Sequence, residues 1–280
     1  MMTVQGLMLF DNHNHSQFSF DGKRTSVRDA GAQAAAKGLG GLCFTDHCDF
    51  FVPAEKALHE HFASEVFDVE AQQAEILDAR RDFPGTGLFM GVEIGLYKDC
   101  REQIKGFLDG HSFDQVIASV HYIDGTDPFY GGYYQDKDWK YAYGHYLETL
   151  YEEMKWLGDF DIMGHYDYVA RYAPYPQASI LYKDFSDILD EILTYLAQEG
   201  KALEINTKSY QDYNGRTPVA DKDILLRYKE KGGEIVSLGS DSHDPFRVGD
   251  KFGTYAAFLK SLGFRYTAHF ENRRLIQTSL

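Results

Sequence analysis

At 280 residues, with 44% hydrophobic and 25% charged content, the chain has a globular composition and enough length to bury a substantial core, which excludes a disordered polypeptide. Lys and Arg total 28 against 43 Asp and Glu, a net charge of −15 with histidine neutral, so nucleic-acid phosphates are repelled on average and a small substrate is favoured over a polymer. No window approaches the roughly 18 apolar residues of a membrane span, the N-terminus lacks the basic and long apolar regions of a signal peptide, and Cys43, Cys48 and Cys100 form no Cys-x-x-Cys pair. The expectation is a cytoplasmic protein with reduced, bystander thiols and no membrane partner.

The apolar run Leu7-Met8-Leu9-Phe10 reads as a buried strand leading into Asp11-Asn12-His13-Asn14-His15. Residues i and i+2 of an extended chain share a face, so Asp11, His13 and His15 are expected on one side, where two neutral imidazoles make a clamp for a divalent metal. His-x-His alone is common, and its meaning depends on partners elsewhere. Asp21, in a loop with Gly22, is close enough in sequence to ligate a neighbouring ion. Ser26 with Asp29 marks a helix start, Ala30 to Lys37 is strongly helix-forming, and Gly38 ends it. The Gly38-Leu39-Gly40-Gly41 cluster precedes the next strand, the wrong order for a dinucleotide fingerprint.

Strand two, Leu42-Cys43-Phe44-Thr45, ends in Asp46-His47. An excursion over 49–63 with His59 and His61 precedes a helix of roughly 64–82, and strand three, 88–92, ends in Glu93. A helix near 99–108 leads to strand four, 116–120, ending in His121. An aromatic loop over 122–143 either covers the site or packs as ordinary surface; the sequence leaves both open. A helix of about 145–157 precedes strand five, 160–164, which ends in His165. Helix 184–199 and strand 202–206 follow, then helix 219–231 and strand 234–238, ending in Gly239-Ser240-Asp241-Ser242-His243. A helix of about 247–262 is expected to close the domain. No linker or second core is visible, so residues 1–280 read as one domain.

Seven strand-helix units in strict alternation predict one parallel sheet. An open sheet gathers its site at one switch point, whereas a ring of polar groups at every strand end suits a closed barrel with its site on the C-terminal face. The expected architecture is α/β, a distorted (β/α)7 TIM-like barrel. Of eleven histidines, six sit at strand ends with Asp21, Asp46, Glu93 and Asp241; the others, His59, His61, His111, His145 and His269, are expected to be solvated or packing residues. Such a ligand set exceeds the needs of one zinc and suits three ions, with Glu93 bridging two. Closely spaced metals clamp the attacking and leaving oxygens of an in-line displacement, which is phosphoester chemistry.

Together Asp11-x-His13-x-His15, Thr45-Asp46-His47, Gly91-Val92-Glu93, Ser119-Val120-His121, Gly164-His165 and Gly239-Ser240-Asp241-Ser242-His243 resemble the PHP superfamily of metal-dependent phosphoesterases over nearly the whole chain. The segments from Gly164 to Tyr172 and from Leu203 to Thr207 look like its histidinol-phosphate phosphatase branch, in histidine biosynthesis. The resemblance implies the PHP fold and three divalent ions of zinc, iron or manganese. It assigns His13, His15, Glu93 and Asp241 to the first metal, Glu93, His121 and His165 to the second, and Asp21, His47 and His243 to the third, where many relatives have histidine in place of Asp21. Asp11 and Asp46 are expected to orient ligating imidazoles.

Arg171 is the best candidate for phosphate, because a guanidinium fork matches its oxygens. Lys208 or Arg216, or both, fill a second basic position. Glu204 or Asp167 is a candidate for the substrate's ammonium group. The expected reaction is hydrolysis of a small phosphate monoester by a metal-bridging hydroxide, with Asp241 or His243 protonating the departing alkoxide. The alternatives are a PHP enzyme acting on a nucleotide or other phosphoester, a barrel amidohydrolase, and a metal-holding module without turnover. Glu93 stands where amidohydrolases commonly carry a bridging lysine.

Overall fold

The computed structural model describes residues 8–51 and 65–280. His59, His61 and most of the expected excursion fall outside them. The described residues contain an eleven-stranded sheet in the order β1-β2-β5-β6-β7-β8-β9-β10-β11. These strands are β1 (Phe10–Asn14), β2 (Gly41–Phe44), β5 (Gly87–Gly95), β6 (Gln115–Ser119), β7 (Ile162–Met163), β8 (Ala202–Asn206), β9 (Val236–Gly239), β10 (Tyr266–Glu271) and β11 (Arg274–Ser279). Off this path, β3 (His47–Asp49) pairs in parallel with β5 and antiparallel with β4 (Glu65–Val66).

From β1 to β9 every neighbouring pair on the path is parallel. The sheet then curls back on itself: Asn14 bridges Ser242, His15 N donates to Ser242 O at 2.9 Å, and Asp241 N donates to His13 O at 2.8 Å. The ends of β1 and β9 are thereby stitched together, which converts a row of strand ends into a ring. Farther down, β10 enters beside β9, with Ala268 opposite Ser237, and the Asn12 amide ties Leu238 O and Ala268 O at 3.2 and 2.9 Å.

Helices cover the outer face: α1 (Val27–Ala36), α2 (Val69–Ala79), α3 (Arg101–Gly110), α4 (Trp139–Leu157), the short α5 (Tyr168–Tyr172), α6 (Ser186–Glu199), α7 (Lys222–Glu230) and α8 (Phe252–Ser261). Four of these eight starts are set by side-chain capping. Ser26 accepts from Asp29 N, Asp68 from Ala71 N, Asp138 from Tyr141 N and Asp221 from Asp223 N, each satisfying an orphan amide of the first turn. Parallel register keeps Glu93, Ile117, Ile162 and Ala202 on one face, and the last three join Phe270 in a small apolar cluster apart from the main core. That plug lies beneath the polar strand ends.

The structure corrects several boundaries. The first strand begins at Phe10, so His13 lies within it, and α4 begins at Trp139, inside the expected aromatic loop, because Asp138 caps it. The chain does not finish on a helix. After α8 comes the β10–β11 hairpin, whose two-residue turn holds Asn272 and Arg273 at φ 49° and 62°, the geometry of a tight hairpin turn.

Candidate metal and phosphate site

The polar residues at the C-terminal strand ends converge. His13 lies on β1 and His15 just past it; His47 is on β3, Glu93 on β5, His121 and His165 follow β6 and β7, and Asp241 and His243 follow β9. Backbone features bring them close. An added Cβ at Gly239 would meet Glu204 Oε1 at 2.2 Å and His13 Cβ at 2.7 Å, and one at Gly164 would meet Ser119 Oγ at 2.2 Å, so glycine permits both approaches. Asp241 has φ 49°, a left-handed conformation that aspartate tolerates better than most residues.

Glu93 is the hub. Its Oε1 lies 2.8 Å from His165 Nε2, 3.1 Å from His121 Nε2 and 2.7 Å from Ser119 Oγ. Its Oε2 lies 3.0 Å from His47 Nδ1, 3.2 Å from His13 Nε2 and 3.4 Å from His15 Nε2. Candidate ligand atoms fall into four overlapping groups: His13, Glu93 and His165; His47, Glu93 and His121; His13, His15 and Asp241; and His15, Asp21, His47 and His243. All nine expected ligands appear in them, and Glu93 belongs to two.

The donor set suits cations. His13 Nε2, His15 Nε2 and His47 Nδ1 are buried around Glu93 Oε2 with none of these four atoms in a hydrogen bond, and His243 Nε2 lies 2.8 Å from Asp21 Oδ2. Orphaned buried polar atoms are costly, and ions shared among these nitrogens and carboxylates would satisfy them together. The electrostatics of the protein alone show the same crowding. Burial would depress His13, but Glu93, Glu204 and Asp241 outweigh it and hold the imidazole well above its ordinary value. His47 rises to about 9 because Glu93 and Asp21 overcome burial. His15 is driven well down by burial and by His243 and His47, and His165 falls to about 4 through burial and Arg171. Burial opposes ionisation of Glu93 and Asp241, yet neighbouring cations hold both well below the usual carboxylate range.

The groups that orient the imidazoles differ from those expected. Asp11 accepts from the amides of Ser240 at 2.9 Å and Gly249 at 2.7 Å, and Asp46 accepts from Ser16 N and Oγ and from Gln72 Nε2. Both brace backbone and loop, and no imidazole is among these donors. The carboxylates on imidazoles are Glu204, whose Oε1 is 2.7 Å from His13 Nδ1, and Asp49, whose Oδ1 is 3.0 Å from His121 Nδ1. Glu204 also accepts from His165 N at 2.7 Å and is not among the residues lining the adjoining cleft, which leaves it unavailable to a substrate's ammonium. Asp167 is buried, on Ser209. A carboxylate on an inward-facing position of a barrel strand was the available signal for Glu204.

Beside the cluster opens a cleft of about 350 Å³. Arg171 and Lys208 line it. Lys208 Nζ lies 3.0 Å from Asp241 Oδ1, and Arg171 Nη1 lies 2.8 Å from Asp241 Oδ2. Arg216 does not line the cleft; it donates to Tyr175 O at 2.8 Å, which removes it from the phosphate candidates. The aromatic loop contributes Tyr122, Asp127, Phe129 and Tyr130, and Glu65 and Phe51 complete that side. Tyr133, Tyr134 and Tyr143 turn inward, the Tyr134 hydroxyl donating to Val169 O at 2.6 Å, while Tyr141 is exposed.

Residues 11–208 match the family model described as the PHP domain. The chain is 34% identical over 269 residues to the histidinol-phosphatase of Lactococcus lactis subsp. lactis, covering 95% of each protein. The chain belongs to the PHP family. A solved structure is similar over nearly the whole chain: the crystal structure of histidinol phosphate phosphatase from the same organism, complexed with zinc, L-histidinol and phosphate, superposes with a TM-score of 0.84 at 32% identity, covering 97% of this chain and 100% of that one. Among the described residues of this PHP protein, no helix is long and apolar enough to cross a membrane.

Proposed function

We propose that the protein is a metal-dependent phosphatase that hydrolyses L-histidinol phosphate to L-histidinol and phosphate. The observation that carries this reading is the division of charge in the cleft. Arg171 and Lys208 converge on Asp241 beside the histidine cluster, while Glu65, Asp127, Tyr122 and Tyr130 line another part of the same cleft. A phosphate dianion is matched by the first pair. An organic group carrying an ammonium and a protonatable ring is matched by the acids and aromatic faces of the second. The relative crystallised with zinc, L-histidinol and phosphate supports the same substrate.

We assign three ions to the cluster. The first is held by His13, His15, Glu93 and Asp241, the second by Glu93, His121 and His165, and the third by Asp21, His47 and His243. Asp241 and His243 lie beyond the span matched by the family model, so the whole chain, 1–280, is assigned to one catalytic domain. When bound, such ions stabilise charge on the phosphoryl oxygens and lower the pKa of the attacking water.

The chain's own residues supply the rest. Arg171 and Lys208 orient the phosphoryl group and offset the charge that gathers on its oxygens in flight. Asp241, ionised between Lys208 and Arg171, accepts the proton of the attacking water as the new P–O bond forms. It then returns that proton to the alkoxide oxygen as the old P–O bond breaks. This order replaces the expectation that Asp241 begins as an acid, because its surroundings hold it ionised. Glu204 and Asp49 keep His13 and His121 in one tautomer and orientation.

The test is turnover of L-histidinol phosphate by the metal-loaded protein against a panel of nucleotide monophosphates and p-nitrophenyl phosphate. A kcat/KM for histidinol phosphate well above the panel is expected. Equal or better turnover of a nucleotide would replace the substrate, and inertness toward every ester would leave only a metal-binding role.

A further inference from the structure

We propose that Ser209 and Asp167 form a positioning relay that fixes the Arg171 guanidinium with one nitrogen left free for the substrate's phosphoryl group. This deepens the phosphatase assignment and rests on it. Arg171 is 1% exposed, and two of its three nitrogens are committed: Nε donates to Ser209 Oγ at 2.8 Å and Nη1 to Asp241 Oδ2 at 2.8 Å. The third, Nη2, is buried without a hydrogen-bond partner in a residue that lines the cleft. A planar fork held at two nitrogens has its plane and direction set. Nη2 has both of its N–H groups left to meet an anion.

Ser209 can play this part because its own proton is spoken for. Its hydroxyl donates to Asp167 Oδ1 at 2.6 Å, which turns its lone pairs toward Arg171 Nε. Asp167 is buried, directly follows Tyr166 after β7 and precedes α5, the short helix that carries Arg171. Ser209 lies in the 3-10 turn Thr207–Tyr210 that follows β8, where Asn206 Oδ1 accepts from Lys208 N at 3.1 Å. That one turn therefore places Lys208 in the cleft and, at the next position, the serine that aims Arg171. Without the hydroxyl, the guanidinium keeps one anchor, swings about its bond to Asp241, and leaves Nε without a partner.

The experiment uses the full-length, metal-loaded protein and reads competitive inhibition by inorganic phosphate, with p-nitrophenyl phosphate as reporter ester, alongside KM and kcat for histidinol phosphate. Ser209→Ala is expected to raise the phosphate Ki and the KM about tenfold, the loss of a hydrogen bond to a charged donor, at unchanged metal content. Asp167→Asn, which preserves shape, is expected to move the same two constants in the same direction. In an Arg171→Ala background, Ser209→Ala is expected to add less than about twofold, since residues acting through one another are non-additive. An unchanged Ki in Ser209→Ala, the full penalty recurring without Arg171, or metal lost in step with Ki would each overturn the relay. A wild-type protein that cleaves the reporter but ignores histidinol phosphate would overturn the substrate assignment alone.

Discussion

Replacing Glu93 removes the carboxylate on which both sides of the cluster depend. It is fully buried, its two oxygens lie 2.8 to 3.4 Å from nitrogens of five imidazoles, and it belongs to two of the four candidate ligand groups. Glu93→Gln keeps the shape and the contact with Ser119 but withdraws the charge that offsets the crowded nitrogens. Two ions should be lost, and with them roughly a thousandfold or more of kcat/KM, equivalent to about 4 kcal/mol of transition-state stabilisation. In the metal-free protein the same change leaves imidazoles without their counter-charge and should cost about 3 to 5 kcal/mol. Metal analysis after exhaustive dialysis, steady-state kinetics and urea unfolding read the three effects. A Glu93→Gln or Glu93→Ala protein with wild-type metal content would refute the bridging role, whatever its activity.

Glu204→Gln and Asp49→Asn should each weaken metal affinity or activity by roughly ten- to a hundredfold, because each loosens one imidazole without removing a ligand; competition with a chelator measures this. Lys208→Ala should raise the phosphate Ki by roughly tenfold or more, whereas Arg216→Ala should leave it within about twofold, and equal effects would undo the choice between them. Burial raises the Asp11 carboxyl to about 6 in the fold from 3.8, although Ser240, Gly249 and His13 amides pull it back. The folded state then binds the proton more tightly than the unfolded one. That contribution is complete below about 3.8 and is lost as pH rises through about 6, a swing of roughly 3 kcal/mol. Urea unfolding of metal-free protein across this window should show the slope, and Asp11→Asn should flatten it.

Much of the site was legible because barrel geometry ties function to a local feature, the residue that ends each strand. Alternation along β1 pointed to His13 and His15, and the polar endings of the later strands supplied Glu93, His121, His165 and Asp241. What stayed hidden depends on contacts between distant positions. Glu204 reaches His13 across 191 residues, and nothing local distinguishes a carboxylate that steadies an imidazole from one that awaits a substrate. Asp49 read as the start of a loop, but β3 carries it onto the sheet beside β5, where it meets His121. Arg216 and Lys208 were equivalent as charges in sequence; only the turn after β8 puts one in the cleft and sends the other to Tyr175 O. The closing hairpin is not among the expected elements although Tyr266-Thr267-Ala268-His269-Phe270 carries strand-forming residues, because the helix before it completes the last strand-helix unit.

Whether one ring of strand ends holds a cation cluster with phosphate beside it is tested most directly by anomalous scattering from crystals grown with zinc and soaked with phosphate. Three peaks are expected, two of them flanking Glu93 and the third among Asp21, His47 and His243, with phosphate against Arg171 and Lys208. Peaks away from Glu93, or phosphate bound elsewhere with the cluster vacant, would contradict it.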